Sequence, residues 1–219
     1  MAQQAKQENN NPQEKGMRLN KFLAHAGIAS RRKCDELIKS GYVKVDGEVV
    51  TEMGYRVMPK QEVTYNGNKV KPQEKVYVLL NKPRDYITTT DDEKDRNTVM
   101  ELVKKATDQR IYPVGRLDRN TSGLLLLTND GELAKKLMHP KYKTKKVYEV
   151  KVDKPVTKKH AEQLREGIEL DDGVAAVDDI AYPDQNDKRL MGVEVHIGKN
   201  RVIRRMFEHL GYRVVRLDR

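Results

Sequence analysis

The chain holds one cysteine, Cys34, in 219 residues, so it has neither an internal disulfide framework nor a cysteine-based zinc cluster. Its five histidines, His25, His139, His160, His196 and His209, include no pair at the close spacing of a motif such as HExxH, and no resident metal is expected. No apolar run approaches the roughly 18 to 20 residues that span a bilayer, and the N-terminus lacks the apolar stretch of a secretory signal. The expectation is a soluble, cytoplasmic protein without membrane association. Neither GxGxxG nor the GxxxxGK loop occurs, so no phosphate-cradling loop announces a nucleotide cofactor. No heptad pattern is long enough for a coiled coil, and a monomer is expected.

What is abundant is positive charge. Forty-three Lys and Arg against 33 Asp and Glu give a formal charge of +10 and a pI near 9.5. That balance favours a polyanionic partner, because each phosphate neutralised by Lys or Arg releases condensed counterions. Charge alone does not separate RNA, DNA and an anionic membrane. The length allows one large domain or a small and a medium one, and 37% apolar content suffices for a core.

Residues 1–16 contain no large apolar side chain beyond Met1 and are expected to be a disordered tail. From residue 17 the pattern changes. Leu19, Phe22, Leu23 and Ala26 recur at helical spacing with Gly27 as a stop, and a second helix runs from Ser30 as N-cap, through Cys34, Leu37 and Ile38, to Gly41. Cys34 is read as a half-buried helix position without a role. YVKVDGEVV then alternates around Asp46-Gly47, a strong hairpin signal. Arg18, Lys21, Arg31, Arg32, Lys33 and Lys44 concentrate cations on the solvent face of this module, which suits a phosphate backbone. Residues 64–75 read as a linker. From residue 76 a second domain is expected, with strands at 76–83, 124–127, 147–152, 174–177 and 190–197 and helices at 98–103, 132–138, 157–166 and 202–210. Few helices and no regular βαβ alternation predict an α+β domain on a mostly antiparallel or mixed sheet.

The most telling stretch is GRLDRNTSGLLLLTNDG, residues 115–131. Leu124 to Leu127 reads as a buried strand bounded by turn residues, which puts Arg116, Asp118 and Arg119 on the loop that leads into it. Loops carried on a rigid strand are common places for catalytic groups. Asp118 admits two readings here: a structural acid that caps the turn or pairs with Arg116 or Arg119, and a functional one.

The segment RLNKFLAHAGIASRRKCDELIKSGYVKVDGEVV resembles the alpha-L RNA-binding motif named after ribosomal protein S4, on its basic first helix, the AGxASRR turn at 26–32 and the GxVxVDG hairpin at 41–47. The resemblance places an S4-like domain at 17–63 and implies structured RNA, read by shape and phosphate. From residue 76 onward, VYVLLNKP, GRLDRNTSGLLLLTNDGELAKKLMHP, KKVYEVKV and GKNRVIRRMFEHLGYRVVRL resemble, in order, the motifs of the pseudouridine synthases that act on ribosomal RNA. The wording is nearest the large-subunit enzymes of type B.

That resemblance implies a catalytic domain at 76–219 that isomerises a uridine within ribosomal RNA, of the 23S class, with no cofactor. The family's catalytic aspartate falls on Asp118, as nucleophile at C1′ or as base at C2′. Its active-site basic residue falls on Arg204, with Arg205 as the competing assignment; neighbours on a helix point about 100° apart, so only one can face Asp118. The family's tyrosine falls on Tyr148, whose ring would stack on the extruded uracil. Arg116 would fill the gap the uridine leaves, or sit in a structural ion pair, and Lys82 and Leu126 would shape the pocket. Family members continue beyond VxRLxR with another strand, which implies a shortened C-terminus and an incomplete last sheet edge. The competing readings are a non-catalytic RNA-binding or ribosome-assembly protein and an RNA methyltransferase; the latter needs a glycine-rich cofactor loop that is not visible.

Overall fold

The computed structural model describes residues 16–219, and the expected tail lies outside the described residues except for Gly16. The chain divides after Glu74 into two compact units. Gly16 belongs to the fold of the first: it is buried, and a Cβ added to it would lie 2.6 Å from the Val57 carbonyl oxygen.

In the first unit β1 (Met17–Arg18) leads into α1 (Leu19–His25), and α2 (Arg31–Lys39) follows, with the Ser30 side chain accepting a hydrogen bond from the Lys33 backbone N–H. The strands are β2 (Val43–Val45), β3 (Glu48–Val49), β4 (Arg56–Val57), β5 (Val63–Tyr65) and β6 (Asn68–Val70). The main sheet has the order β3-β2-β5-β6, all antiparallel, and β1 pairs with β4. Asp46 and Gly47, at φ of 52° and 86°, make the tight β2-β3 turn. Residues 64–70 are not a linker. Asn66 and Gly67, at φ of 48° and 79°, form a second such turn that joins β5 to β6. Leu19, Leu23, Cys34, Ile38, Val43, Val45, Val57 and Val63 form the core. Cys34 is fully buried there rather than half-buried.

The second unit contains β7 (Tyr77–Lys82), α3 (Val99–Val103), β8 (Tyr112–Pro113), β9 (Gly123–Thr128), α4 (Gly131–Met138), β10 (Lys146–Val152), α5 (Lys158–Glu166), β11 (Asp179–Ala181), β12 (Leu190–Val195), α6 (Val202–His209) and β13 (Val214–Asp218). Two antiparallel sheets result, β7-β9-β8 and β11-β12-β10-β13. The α+β class with mostly antiparallel sheets is as the sequence indicates. The strand expected at 174–177 is only a bridge between Ile168 and Ala175, because Gly173 at φ 94° and the Lys199 ammonium bonded to three successive carbonyls hold this stretch as a turn.

Backbone hydrogen bonds join the two sheets where β13 meets the start of β9. Beyond its pairing with β10, β13 runs parallel to residues 122–124: Ser122 N–H donates to Leu217 O at 3.1 Å, Arg219 N–H to Ser122 O at 3.1 Å and Leu124 N–H to Arg219 O at 2.9 Å. Leu217 and Asp218, near the end of β13, thus have neighbours on both sides, β10 and residues 122–124. Gly123 sits at φ 118° under this crossing, and a Cβ there would lie 2.3 Å from Arg219 N, so only glycine fits.

Strand β9 departs from the expected fully buried strand. Leu125 and Leu127 are sealed in a core with Val99, Val103, Ile111 and Leu117, each contributing about 1.5–3 kcal/mol by burial. Leu124 and Leu126 point the other way, with Leu124 52% exposed. That second apolar face is a wall of the cavity described next.

Candidate active site

A cavity of about 1050 Å³ lies in the second unit. One wall is the outer face of β7 and β9, through Leu79, Leu124 and Leu126; another is β10 and β12, through Lys146, Tyr148 and Val195. The loop 115–121 and the start of α6 complete it. Strand alternation dictates the tyrosine: Val150 and Val152 on its face of β10 are buried in the core, and Tyr148, at the end of the same row, packs partly against both cores of the unit.

Asp118 is the one acid on the cavity wall among the described residues, set among Arg116, Arg119, Lys146, Arg201, Arg204 and Arg219. Its backbone carbonyl accepts from Thr121 N–H at 3.0 Å, which shapes the turn. Its carboxylate has no hydrogen bond or ion pair among the described residues, so it neither caps the turn nor pairs with a neighbouring arginine. Arg119 pairs instead with Asp85 at 3.3 Å. Arg116 is exposed on the cavity rim and likewise lacks a partner among the described residues, which removes the structural ion pair considered for it. The Tyr148 phenol is equally unbonded there.

Arg204 and Arg205 separate as helix geometry requires. Arg205 turns outward, bidentate to Asp172 at 3.0 Å and bonded to Asn200 O at 2.9 Å. Arg204, 9% exposed, points inward and donates to Val214 O at 3.2 Å and Asn120 O at 3.1 Å. It thus ties α6 to the loop that carries Asp118, two residues away. Burial and the Arg201 charge push its pKa down from the ordinary value, and the Asp118 charge opposes them.

Lys82 requires a correction. Expected to shape the pocket, it is fully buried and off the cavity wall. Its ammonium donates to Pro83 O at 2.8 Å, Tyr86 O at 2.9 Å and Arg119 O at 3.4 Å, clamping the two loops together from behind. Burial lowers its pKa, and the charges of Asp118 and Asp85 work against that shift.

A family model described as RNA pseudouridylate synthase matches residues 76–209. The chain belongs to that family. A Bacillus subtilis (strain 168) protein named ribosomal large subunit pseudouridine synthase B is 48% identical over 205 residues, 92% of this chain and 84% of the relative. An Aquifex aeolicus (strain VF5) uncharacterized RNA pseudouridine synthase is 45% identical, over 93% of this chain and 82% of its own length. A crystal structure of a pseudouridylate synthase superposes with a TM-score of 0.60 at 26% identity, over 93% of this chain and 87% of that one. Family membership makes the chain an enzyme and removes the non-catalytic and methyltransferase readings.

An S4 domain model matches residues 17–63, within the synthase's first unit. Arg31, Arg32 and Lys33 are exposed in the first turn of α2, and Arg18 is exposed just before α1. Three cations at a helix N-terminus oppose the helix dipole, and no acid offsets them in that turn. Lys33 is matched by Glu36 at 2.6 Å, and Arg31 leans on Asn20 at 3.4 Å. Lys21 lies on α1 and is half-buried. In the catalytic unit, sequence reasoning missed the cavity cations Lys146, Arg201 and Arg219. Lys146 sits two residues before Tyr148 and so shares its face, a signal that strand alternation offered. Arg219 reaches the wall only through the parallel pairing of β13.

Proposed function

We propose that the protein converts a uridine to pseudouridine in ribosomal RNA, in the 23S RNA of the large subunit, free or within an assembling subunit, as a cytoplasmic monomer. The observation that carries this reading is the Asp118 carboxylate, without a partner among the described residues and set among cavity cations. In the reaction the N1–C1′ bond breaks, the uracil turns, C5 bonds to C1′, and a proton leaves C5 while N1 gains one. Atoms and electrons balance within the nucleotide, so the chemistry calls for no cofactor.

A uridine inside helical RNA is out of reach and must be extruded. The exposed Arg116 fills its place in the stack, and the extruded uracil lies on the Tyr148 ring, a contact worth about 1–3 kcal/mol in single-strand binders. Asp118 attacks C1′ or removes the C2′ proton; both roles need an ionised oxygen not already engaged. Arg204 holds the Asp118 loop and lends its charge, and Lys82 fixes the loop from beneath. The cations Arg18, Lys21, Arg31, Arg32 and Lys33 hold the RNA backbone.

The test is to incubate the protein with ribosomal RNA from cells lacking it and map pseudouridine by carbodiimide-dependent reverse-transcription stops. A new stop that disappears with Asp118→Asn is expected. No stop with the native chain, on intact RNA or on partly assembled subunits, contradicts the reading.

A further inference from the structure

Two polar atoms among the described residues are buried without a hydrogen-bond partner, the Thr121 hydroxyl and Nε of Arg204. Both residues line the cavity, Thr121 at 2% exposure and Arg204 at 9%. The two residues are linked through the chain, because the Arg204 guanidinium donates to the carbonyl of Asn120, the residue before Thr121. A buried donor left unpaired is costly, and native proteins keep few of them. Thr128, equally buried at the far end of β9, shows the ordinary outcome: its hydroxyl donates to Val76 O at 2.5 Å and accepts from Asp130 N–H at 2.9 Å.

An Arg Nε–H only donates, and a threonine hydroxyl donates or accepts. An oxygen acceptor would complete the Nε–H, and an acceptor or a donor the hydroxyl. Resting on the reading that an extruded uridine occupies this cavity, we infer that Thr121 is a substrate-binding residue whose hydroxyl, with the Arg204 Nε–H, holds a carbonyl oxygen of the uracil. The chemistry favours a carbonyl. When the detached base turns to bring C5 to C1′, O2 and O4 exchange places, so donors fixed in the wall meet an acceptor before and after the turn. The pair guides the base without favouring either isomer.

The inference predicts opposite effects on fold and rate. Thr121→Val keeps the side-chain shape and removes only the hydroxyl, so its Tm is no lower than that of the native protein, because an unsatisfied buried group is lost. Its single-turnover rate on the mapped RNA falls by about tenfold or more, whereas Thr121→Ser stays near the native rate. An unchanged rate in Thr121→Val overturns the inference, as does a lowered Tm, which assigns the hydroxyl to the fold. RNA carrying 2-thiouridine or 4-thiouridine at the target, with its weaker acceptor, identifies the oxygen: the thio penalty of the native enzyme shrinks in Thr121→Val. An undiminished penalty for both thio substrates, with a 2′-deoxy target showing the coupling instead, overturns the carbonyl assignment. A native enzyme that makes no pseudouridine fails the proposed function itself; an active one matched by Thr121→Val fails only this inference.

Discussion

Strand β9 has an acid just beyond each end, and their surroundings differ completely. Asp130, after the strand, is buried and N-caps α4: it accepts from Glu132 N–H at 3.1 Å, Leu133 N–H at 3.2 Å and the Tyr77 hydroxyl at 2.9 Å, and pairs with Lys75 at 2.8 Å. The bond from Lys75 leads in holding its pKa far below the ordinary value, and burial opposes it. Asp118, before the strand, has none of these partners and faces a cavity lined with cations. An acid that the fold has fully satisfied is part of the fold. One left without a partner among the described residues, beside positive charge, is available to a substrate, which is the role proposed for Asp118.

Breaking each end should therefore break a different property. The largest effect is expected for Asp118→Asn: a loss of about 10²–10⁴-fold or more in single-turnover rate, with Tm unchanged, checked by stopped-time pseudouridine assays and thermal unfolding. Lys82→Met leaves three loop carbonyls without their donor; it should cost about 1–3 kcal/mol in denaturant unfolding and also slow the reaction, because Arg119 adjoins Asp118. Asp130→Ala should cost about 1–2 kcal/mol through the lost cap and leave the rate per folded molecule intact.

The smallest effect sharpens the contrast through pH. The folded Asp130 has a pKa below its ordinary 3.8, so its stabilisation is complete above that value and is lost as the pH falls from about 4 downward. Acid unfolding curves should show this loss in the native chain and in Asp118→Asn, and lack it in Asp130→Asn.

The contrast between the two acids was not legible in the sequence, where both stand in polar turns beside leucines. Local signals are legible: Ser30 caps α2, Asp46-Gly47 turns a hairpin, and the 124–127 run is a strand. Asn66-Gly67 is the same hairpin signal, masked in the sequence by surrounding charge and prolines that resemble a linker. What failed otherwise was non-local. The satisfaction of Asp130 depends on Lys75 and Tyr77, more than fifty positions away, and the seam between the sheets depends on β13 meeting residues 122–124. The motif pointed to Asp118, Tyr148 and Arg204, and all three lie around one cavity, yet nothing in it distinguished the buried clamp Lys82 from a pocket residue. Arg204 could be separated from Arg205 only by which face of α6 meets the loop.

The most direct test measures Tm and single-turnover pseudouridine formation side by side for Asp118→Asn and Asp130→Asn. Asp118→Asn should keep the native Tm and lose the reaction, while Asp130→Asn should keep the reaction and have a lower Tm. An Asp118→Asn protein that unfolds early and still makes pseudouridine would contradict the account.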